Sequence, residues 1–330
     1  MTIKRGVSLY SFQHETFLGR MTLEDCIRTC AEMGANGIEV VGEQTFHGHP
    51  EQPVDDGVIA HWHELMRRYG TSPVCHDFML DYKRYKGRQM PFDEQVASVR
   101  HDIELGKRLG VPFVRSLVSV DPEVLLAAAP YAEEAGIRIL VEVHAPLHFD
   151  HPWIIRYAEA FDRSGSDALG FLPDMGMFLH RFPPVWKEKF LRLGVPQPIA
   201  NYIEKAYEDR VLSEYVILNV REMGGEGPAI AMAETLRHNA AFEPSRMLPH
   251  MDRIHNIHGK FYEVNDDGVE PSIPYDEIVQ VLKQGGYNGY ICSEYEGNRW
   301  IEDAVDVDSV EQVRRQQVLL QRCIDAPSVA

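Results

Sequence analysis

The hydrophobic and polar positions of the chain repeat one unit, in which a helical stretch ends at glycine and a strand follows. Apolar residues recur at helical spacing from Leu23 to Met33, Gly34 ends the run, and the apolar stretch 37–41 is typical of a strand. The same order of helix, glycine and strand recurs at 99–118, 122–144 and 275–293. Helices and strands that alternate in this way predict β/α units with parallel strands.

Eight strands follow from this pattern, β1 to β8 in chain order. Their predicted positions are 6–12, 37–42, 72–79, 112–118, 137–144, 169–174, 253–261 and 289–294. Eight such strands favour a closed (β/α)8 TIM barrel, with residues 1–330 as a single domain. An open doubly wound sheet is the alternative. A nucleotide-binding sheet of that kind needs a glycine-rich turn after β1, where this chain reads Tyr10-Ser11-Phe12-Gln13-His14.

The connection between β6 and β7 is too long for one β/α unit. We expect residues 175–250 to form an elaborated insertion, with helical runs near 199–218 and 228–240, on the face where barrels keep their active sites. Apolar residues cluster near its start: Phe182, Pro183, Pro184, Val185, Trp186 and Phe190. If exposed, they would suit a subunit interface or an aglycone pocket; if buried, they would form a local cap on the barrel.

Charge and composition narrow the classes of function. Acidic residues outnumber basic ones by 50 to 33, and the net charge of −17 disfavours nucleic acid or an anionic membrane as the main partner. No apolar run reaches the roughly 18 residues that span a bilayer, and the start of the chain has no signal-peptide-like segment. Five scattered cysteines do not suggest a disulfide framework. These features predict a cytoplasmic protein with reduced thiols.

Polar residues stand at the ends of the last four strands, where a barrel core would need apolar ones. Carboxylates that converge there must be paired or bound to a cation. Three oxygen ligands and one imidazole favour Mn²⁺ or Mg²⁺, with Zn²⁺ or Co²⁺ as alternatives. His255 and His258 are an odd number of residues apart and therefore point to opposite faces of a regular strand, so we assign only His258. The predicted ligands are Glu142, Asp174, His258 and Glu294.

His144 lies two residues after Glu142 and therefore on the same face of β5. An imidazole beside a cation is a candidate general base at neutral pH, although a histidine that only holds a loop fits the sequence equally well. Substrate-binding candidates near the mouth are Tyr10, His76, Lys260, Glu296 and Arg299. His47 and His49, in the loop after β2, form an H-x-H pair that could bind metal. A polar loop facing substrate or solvent is the favoured interpretation of that pair.

These residues resemble the xylose isomerase-like barrel superfamily of sugar isomerases and epimerases, over most of the chain from β1 to the helix after β8. In that superfamily, ligands at the ends of β5 to β8 hold one divalent metal. The resemblance places these roles on Glu142, Asp174, His258 and Glu294. The family often has a histidine three residues after the β6 aspartate. Here that position is Met177 and the nearest histidine is His180, which argues against simple ketose epimerisation.

A narrower resemblance is to the α subunits of bacterial C-glycoside deglycosidases. It is carried by residues 142–144, 181–186 and 258–262. Those enzymes cleave the carbon–carbon bond between a 3-oxo-sugar and an aromatic aglycone, with a divalent metal, a histidine base and a small β subunit. The resemblance implies a metal-dependent lyase for 3-oxo-C-glycosides, with His144 as the base and a small β subunit as partner.

Three other functions remain open on the sequence. A sugar isomerase or epimerase would use the same metal and base but return the proton to the substrate. An abasic-site endonuclease of the same superfamily would need a basic DNA-binding face, against which the charge of −17 argues. A non-catalytic barrel that binds sugar or scaffolds a partner would bind its ligand equally well without metal.

Overall fold

Eight parallel strands form the centre of the molecule in the computed structural model, which describes residues 2–80, 84–238 and 242–328. The strands are β1 (Lys4–Ser8), β2 (Gly37–Val41), β3 (Ser72–Asp77), β4 (Phe113–Ser116), β5 (Arg138–Val143), β6 (Leu169–Pro173), β7 (Asn256–Phe261) and β8 (Tyr290–Tyr295). Their order around the sheet is β6-β5-β4-β3-β2-β1-β8-β7, with parallel neighbours throughout. Two isolated bridges, from Phe171 to Ile254 and from Asp174 to His258, join β6 to β7. The predicted TIM barrel is confirmed.

Helices separate the strands and cover the outside of the barrel. They are α1 (Gln13–Phe17), α2 (Leu23–Glu32), α3 (Gly42–Thr45), α4 (Asp56–Tyr69), α5 (Phe92–Leu109), α6 (Pro122–Ala135), α7 (Pro152–Ser164), α8 (Pro184–Arg192), α9 (Gln197–Glu208), α10 (Ser213–Glu222), α11 (Pro228–Glu234), α12 (Tyr275–Gln284), α13 (Asn298–Ile301) and α14 (Ser309–Asp325). Among the described residues, no helix is long and apolar enough to cross a membrane.

Local signals in the sequence explain where these helices start and stop. Thr22 and Asp25 form a reciprocal capping box at the start of α2. Gly110 ends α5 and Gly136 ends α6 in the left-handed conformation, at φ values of 75° and 69°, which glycine adopts without steric cost.

Two strands differ from their predicted bounds by more than two residues at one end. The run 6–12 leaves the sheet after Ser8, because Leu9–Phe12 forms a 3₁₀ turn. Within that turn the Ser11 hydroxyl donates to the Ser293 carbonyl and accepts from the Tyr295 amide, so it binds the end of β8. Strand β7 starts at Asn256 rather than 253, since a 3₁₀ segment occupies Pro244–Arg253.

The insertion between β6 and β7 consists of α8 to α11 and three 3₁₀ segments, Met175–Phe178, Thr235–His238 and Pro244–Arg253. The predicted helical run 199–218 is two helices separated by a turn, and residues 239 and 240 of the run 228–240 lie outside the described residues. Apolar residues of the insertion, including Val216 and Met232, belong to the same continuous buried cluster as the helices around the barrel.

Inside the barrel, the lower part is apolar and the upper part is charged. A separate buried cluster contains Val74, Cys75, Leu140, Leu172 and Cys292. Two residues further along three of these strands, the inward side chains are Asp77, Glu142 and Asp174, all buried. Side chains of a strand alternate between its faces, so these pairs continue one inward row. The carboxyl-terminal end of the barrel is thus lined by ionisable groups.

Candidate metal centre and active site

The four predicted metal ligands come together at this end of the barrel. One ligand atom from each of Glu142, Asp174, His258 and Glu294 lies within 4.8 Å of the others. His258 Nδ1 is 3.1 Å from Glu142 Oε1 and 3.5 Å from Glu294 Oε1. All four residues are at most 5% exposed. Donor atoms around one cation with bonds of roughly 2.0–2.3 Å lie about 3–4.5 Å apart, so the spacing fits a single divalent ion.

The backbone fixes two of these side chains directly. The Gly176 amide donates to Asp174 Oδ1 at 2.6 Å, which holds the carboxylate at the end of β6. A Cβ atom on Gly176 would lie 2.8 Å from that oxygen and 3.0 Å from Lys260 Cδ, so glycine is needed for this approach. The bridge between Asp174 and His258 sets the relative height of the two ligands in the barrel.

Three further ionisable residues lie just below the four candidate ligands. Glu39 on β2 is 2.8 Å from His258 Nε2, and it also accepts a hydrogen bond from Asn256. Asp77 on β3 pairs with Arg115 on β4, with 3.1 Å between Nη2 and Oδ2. Glu39, Asp77 and Arg115 were not predicted, because metal ligands were expected only at the ends of β5 to β8. The same alternation applied to β2, β3 and β4 would have found them.

The charges in this layer do not balance. Five buried carboxylates, at Glu39, Asp77, Glu142, Asp174 and Glu294, face three bases, Arg115, His258 and Lys260. A histidine that binds a metal is neutral, so with His258 as a ligand five carboxylates face two cations, and one divalent cation offsets most of the excess of three negative charges. Buried charges without partners are costly, so the excess itself argues for a bound cation.

The pKa directions show how the metal-free layer relieves this excess. Burial raises the pKa of Asp77 to about 8 even though Arg115 lowers it. Burial likewise raises the pKa of Asp174 to about 7 against the pull of Lys260. Burial lowers the pKa of His258, but the surrounding carboxylates raise it well above its usual value. Protons therefore occupy the layer near neutral pH, and a divalent cation could take their place. The four candidate ligands therefore suit a divalent metal ion.

Lys260 links the candidate ligands to the mouth of the pocket. Its ammonium lies 2.6 Å from Asp174 Oδ2, 3.2 Å from Glu294 Oε2 and 3.5 Å from Glu296 Oε1. At the rim, Tyr10 donates to Glu296 at 3.3 Å, and Arg299 contacts both Tyr10 and Glu296. The structure thus places Tyr10, Lys260, Glu296 and Arg299 in one polar chain at the mouth.

His144 lies in the wall of the same pocket, directly after β5. Its Nδ1 is 2.8 Å from the Ala145 carbonyl oxygen. A carbonyl only accepts hydrogen bonds, so Nδ1 carries the proton and Nε2 of the neutral ring is the basic nitrogen. The histidine is half-buried and holds this tautomer through its own backbone segment.

The pocket above the candidate ligands has a volume of about 390 Å³, in the range of small-molecule sites. One wall is aromatic. The ring of Trp186 stacks on that of Trp300, with 4.7 Å between ring centroids, and packs edge-on against Tyr262, with 5.0 Å between centroids. His238 completes this side. No pattern in the sequence identified His238, which reaches the pocket from the insertion, or Trp300, which follows the predicted Arg299 in α13 after β8.

The aromatic cluster at the start of the insertion is buried. Phe182, Val185, Trp186 and Phe190 are 3–6% exposed. They form a local cap on the barrel, one of the two alternatives that the sequence left open, and not an exposed interface. Of these four residues, only Trp186 is among the described residues that line the pocket.

Four histidines named in the sequence analysis lie away from the pocket. His76, expected near the mouth, is fully buried and points outward from β3, where it pairs with Asp102 on α5. His49 pairs with the same Asp102 and does not face substrate or solvent, whereas His47 is exposed. His180 is exposed outside the pocket, and its amide donates to the Ser272 carbonyl. His76 points away from the pocket because side chains alternate along β3 and its neighbour Asp77 points inward.

His255 does not have the outward orientation that the spacing predicts, because it precedes β7, where strand alternation does not apply. It stacks on Phe113 at 6.1 Å, away from His258, which lies inside the barrel with Asn256 and Lys260. Its partner Phe113 packs on the apolar cluster inside the barrel, so His255 lies at the end of the barrel opposite the candidate ligands.

The chain is similar to known proteins over nearly its full length. It is 28% identical to the C-glycoside deglycosidase alpha subunit of Arthrobacter globiformis, covering 98% of this chain and 93% of that protein. It is 30% identical to the 3'-dehydrocarminate deglycosidase alpha subunit of a Microbacterium species, covering 96% and 94%. Among solved structures, the IOLI protein with a bound zinc atom superimposes with a TM-score of 0.59 at 12% identity, over 98% of this chain and all of that one.

The model of one protein family, described as the xylose isomerase-like TIM barrel, matches residues 27–316. That span covers all the strands except β1 and includes every candidate metal ligand. Together with the confirmed barrel, it shows that the chain belongs to the xylose isomerase-like TIM barrel family.

Proposed function

We propose that this chain is the catalytic subunit of a metal-dependent carbon–carbon lyase that acts on 3-oxo-C-glycosides. One observation carries the proposal: a histidine with a free basic nitrogen and a four-ligand metal cluster share one pocket. The relatives named as deglycosidase alpha subunits support the lyase, since they align with nearly the whole chain. An enzyme of this family is the coarser conclusion, which holds for either a lyase or an isomerase.

Glu142, Asp174, His258 and Glu294 would hold the divalent cation. Three carboxylates and one imidazole favour Mn²⁺ or Mg²⁺, and Zn²⁺ or Co²⁺ also suit the set. When bound, the cation would polarise the sugar carbonyl and stabilise negative charge on its oxygen. Arg115 pairs with Asp77 and lies 3.6 Å from Glu142 Oε2, so it orients that carboxylate from below.

His144 would move the proton. Its Nε2 removes the proton from the sugar carbon next to the 3-oxo group, and the Nδ1–Ala145 hydrogen bond keeps the ring in the required tautomer. The electron pair left on the substrate then forms a double bond to C1, the bond from C1 to the aglycone breaks, and the aglycone carbon takes up a proton. The base and the leaving group act on neighbouring carbons, as β-elimination requires.

The two sides of the pocket suit the two halves of such a substrate. The aromatic wall of Trp186, Tyr262 and Trp300 offers ring faces and edges to a flat aglycone. The polar rim of Tyr10, Glu296 and Arg299 offers donors and acceptors to sugar hydroxyls. Lys260, between the rim and the metal ligands, can donate to an oxygen on the sugar.

A comparison of substrates tests the proposal. The purified chain, with its partner subunit where one is needed, is incubated with a 3-oxo-C-glycoside and, separately, with free ketoses. Release of the aglycone, lost on treatment with a chelator and restored by Mn²⁺, supports the lyase. Conversion of a ketose to its epimer without aglycone release would instead identify a sugar epimerase. Sugar binding that is unchanged by the chelator, with no turnover, would indicate a non-catalytic barrel.

A further inference from the structure

A second group of metal-ligand side chains lies outside the barrel, between the strands and the helices. His49 Nε2 is 3.2 Å from Asp102 Oδ1, and His76 Nε2 is 3.0 Å from the same oxygen. The two histidine side chains are fully buried and that of Asp102 is 3% exposed. One ligand atom from each of the three lies within 4.8 Å of the others.

Three separate elements bring these side chains together. His49 comes from the loop after α3, His76 from the outward face of β3, and Asp102 from the inner face of α5. The backbone makes room for the rings at Gly42. A Cβ atom there would lie 2.4 Å from His76 Cε1 and 2.9 Å from His49 Cδ2, so another residue would push the rings apart.

The direction of the rings points to a shared ligand. Each ring uses Nε2 towards the cluster, and its Nδ1 has no hydrogen-bond partner among the described residues. The rings meet edge to face, with centroids 5.7 Å apart, so that both Nε2 atoms converge on one point. In a tetrahedral site with bonds of roughly 2.0–2.1 Å, neighbouring ligand atoms are about 3.3 Å apart, close to the two separations here.

We propose that His49, His76 and Asp102 form a second divalent-metal site, and that Zn²⁺ is the ion that suits it best. Two imidazoles and one carboxylate are ligands that zinc prefers, and three protein ligands leave a fourth position for water. The barrel site, with three carboxylates, is a harder oxygen site by comparison. The two sites therefore differ in donor set and share no residue.

A metal ion in the second site would hold three segments of the chain together beside the active site. It joins the loop after β2 to β3 and α5, and Glu43 in that loop accepts a further bond from the Met79 amide. Val41 and Met79, at the ends of the joined segments, line the active-site pocket. An ion here would thus fix one wall of the pocket without contacting the substrate. The proposal holds whichever reaction the barrel catalyses.

The test first removes two ligands of the barrel site. Because Glu39, Asp77 and His258 could still bind an ion there, the comparison with His49→Gln assigns the remaining zinc. The Asp174→Asn/Glu294→Gln double variant is loaded with Zn²⁺, passed through gel filtration, and analysed for zinc and by thermal unfolding. We expect about one zinc per chain and a higher Tm with zinc than after chelation. Adding His49→Gln should remove both effects, whereas His47→Gln, an exposed histidine of the same loop, should keep them.

Two results would overturn the proposal. One is a folded double variant that retains less than about 0.1 zinc per chain after loading, where a site that stabilises the fold should stay filled. The other is zinc retained equally with and without His49→Gln. If His49→Gln does not fold, His76→Asn in the double variant makes the same comparison.

Discussion

The side chains of the candidate metal centre are held by opposite charges rather than by apolar contacts. His258 touches Glu142, Glu294 and Glu39 at once, and no water-exposed surface screens these contacts, since its side chain is fully buried. A change that removes one charge therefore alters the whole layer. The role of a single residue is best separated by variants that keep shape and change charge.

Glu294→Gln is such a variant for the metal centre. It keeps the side-chain size but removes one charged ligand, so metal affinity should fall by more than the roughly 10–100-fold that loss of an outer partner costs. Metal content after dialysis and turnover should fall together. Glu296→Gln, which removes a charge near Lys260 without removing a ligand, should keep the metal. Full metal occupancy and normal turnover in Glu294→Gln would contradict the assignment.

The variant His144→Ala tests whether His144 is a general base or a metal ligand. Loss of a general base should lower turnover by about 10²–10⁴-fold while the metal content stays at the wild-type level. His238→Ala serves as the control, because His238 lines the same pocket without adjoining β5. If His144→Ala loses its metal, the residue is a ligand and its proposed role is wrong.

The site residues that could be predicted from the sequence are those whose orientation follows from the alternation of side chains along a strand. Alternation brought Glu142, Asp174, His258 and Glu294 to one end of the barrel. It did not place His255, which precedes β7 and packs on Phe113 at the other end of the barrel. The same rule, not applied to β3, would have placed His76 outside the barrel. The pairing of His76 with Asp102 depends on how α5 packs on β3, which no local pattern records.

At the scale of elements, the wall of the pocket depends on contact between two helices far apart in the chain. Helix α8 of the insertion packs on α13 after β8: Arg192 donates to the Trp300 carbonyl and pairs with Asp303. Lys189 donates to the Arg299 carbonyl. The repeat of helix and strand predicted that the insertion exists, but not this contact, because its partners are set by the folded barrel.

Trp300→Leu tests the aromatic wall. Trp300 is half-buried, and its loss should raise the KM for an aromatic C-glycoside about 2–10-fold, the equivalent of one aromatic pair, with metal content unchanged. Trp153→Leu is a matched control, a half-buried tryptophan on α7 outside the pocket. Equal KM values for Trp300→Leu and the wild type would show that the aglycone does not contact this wall.

At the scale of the whole molecule, the barrel is joined most sparsely between β6 and β7, and His255 lies in that gap. Its amide donates to the Phe171 carbonyl, and its ring stacks on Phe113. Burial, with help from Arg138, lowers the pKa of His255 to about 4. Because the folded pKa is lower than the usual 6.5, protonation favours the unfolded chain.

The free energy of unfolding should therefore fall as the pH drops from about 6.5 towards 4, and His255 should account for about 1 kcal/mol of that fall by pH 5 after allowance for solvent screening. Urea unfolding of the wild type and His255→Gln at pH 7 and pH 5 measures this share. The variant should lose less stability between the two pH values. The same pH dependence in both proteins would rule out this role, and His47→Gln should behave like the wild type.

Assembly is the largest scale, and here we expect that the chain does not work alone. Its relatives are named alpha subunits, which implies a second subunit in those enzymes. Phe182, Val185, Trp186 and Phe190 do not supply the contact surface, because they are buried. Phe182 packs against Tyr207 of α9, and Trp186 and Phe190 pack against Trp300. The insertion exposes other apolar side chains instead: Leu212 at 64%, Tyr215 at 61% and Leu218 at 54%. Exposed apolar groups of this size on a helix are typical of a surface that another protein covers.

We therefore expect weak or absent turnover of a 3-oxo-C-glycoside by the isolated chain, and a gain when a small partner subunit is added. Light scattering gives the mass of each species, and turnover is measured on the same samples. Leu218→Asp places a charge on the exposed face of α10 and should reduce both the larger species and the gain, because burying an unpaired carboxylate is costly. Glu214→Asp, a change on the same helix that keeps the charge, should leave both unchanged. A stable homo-oligomer with full activity would remove the need for a second subunit, since the site would then be complete in copies of this chain.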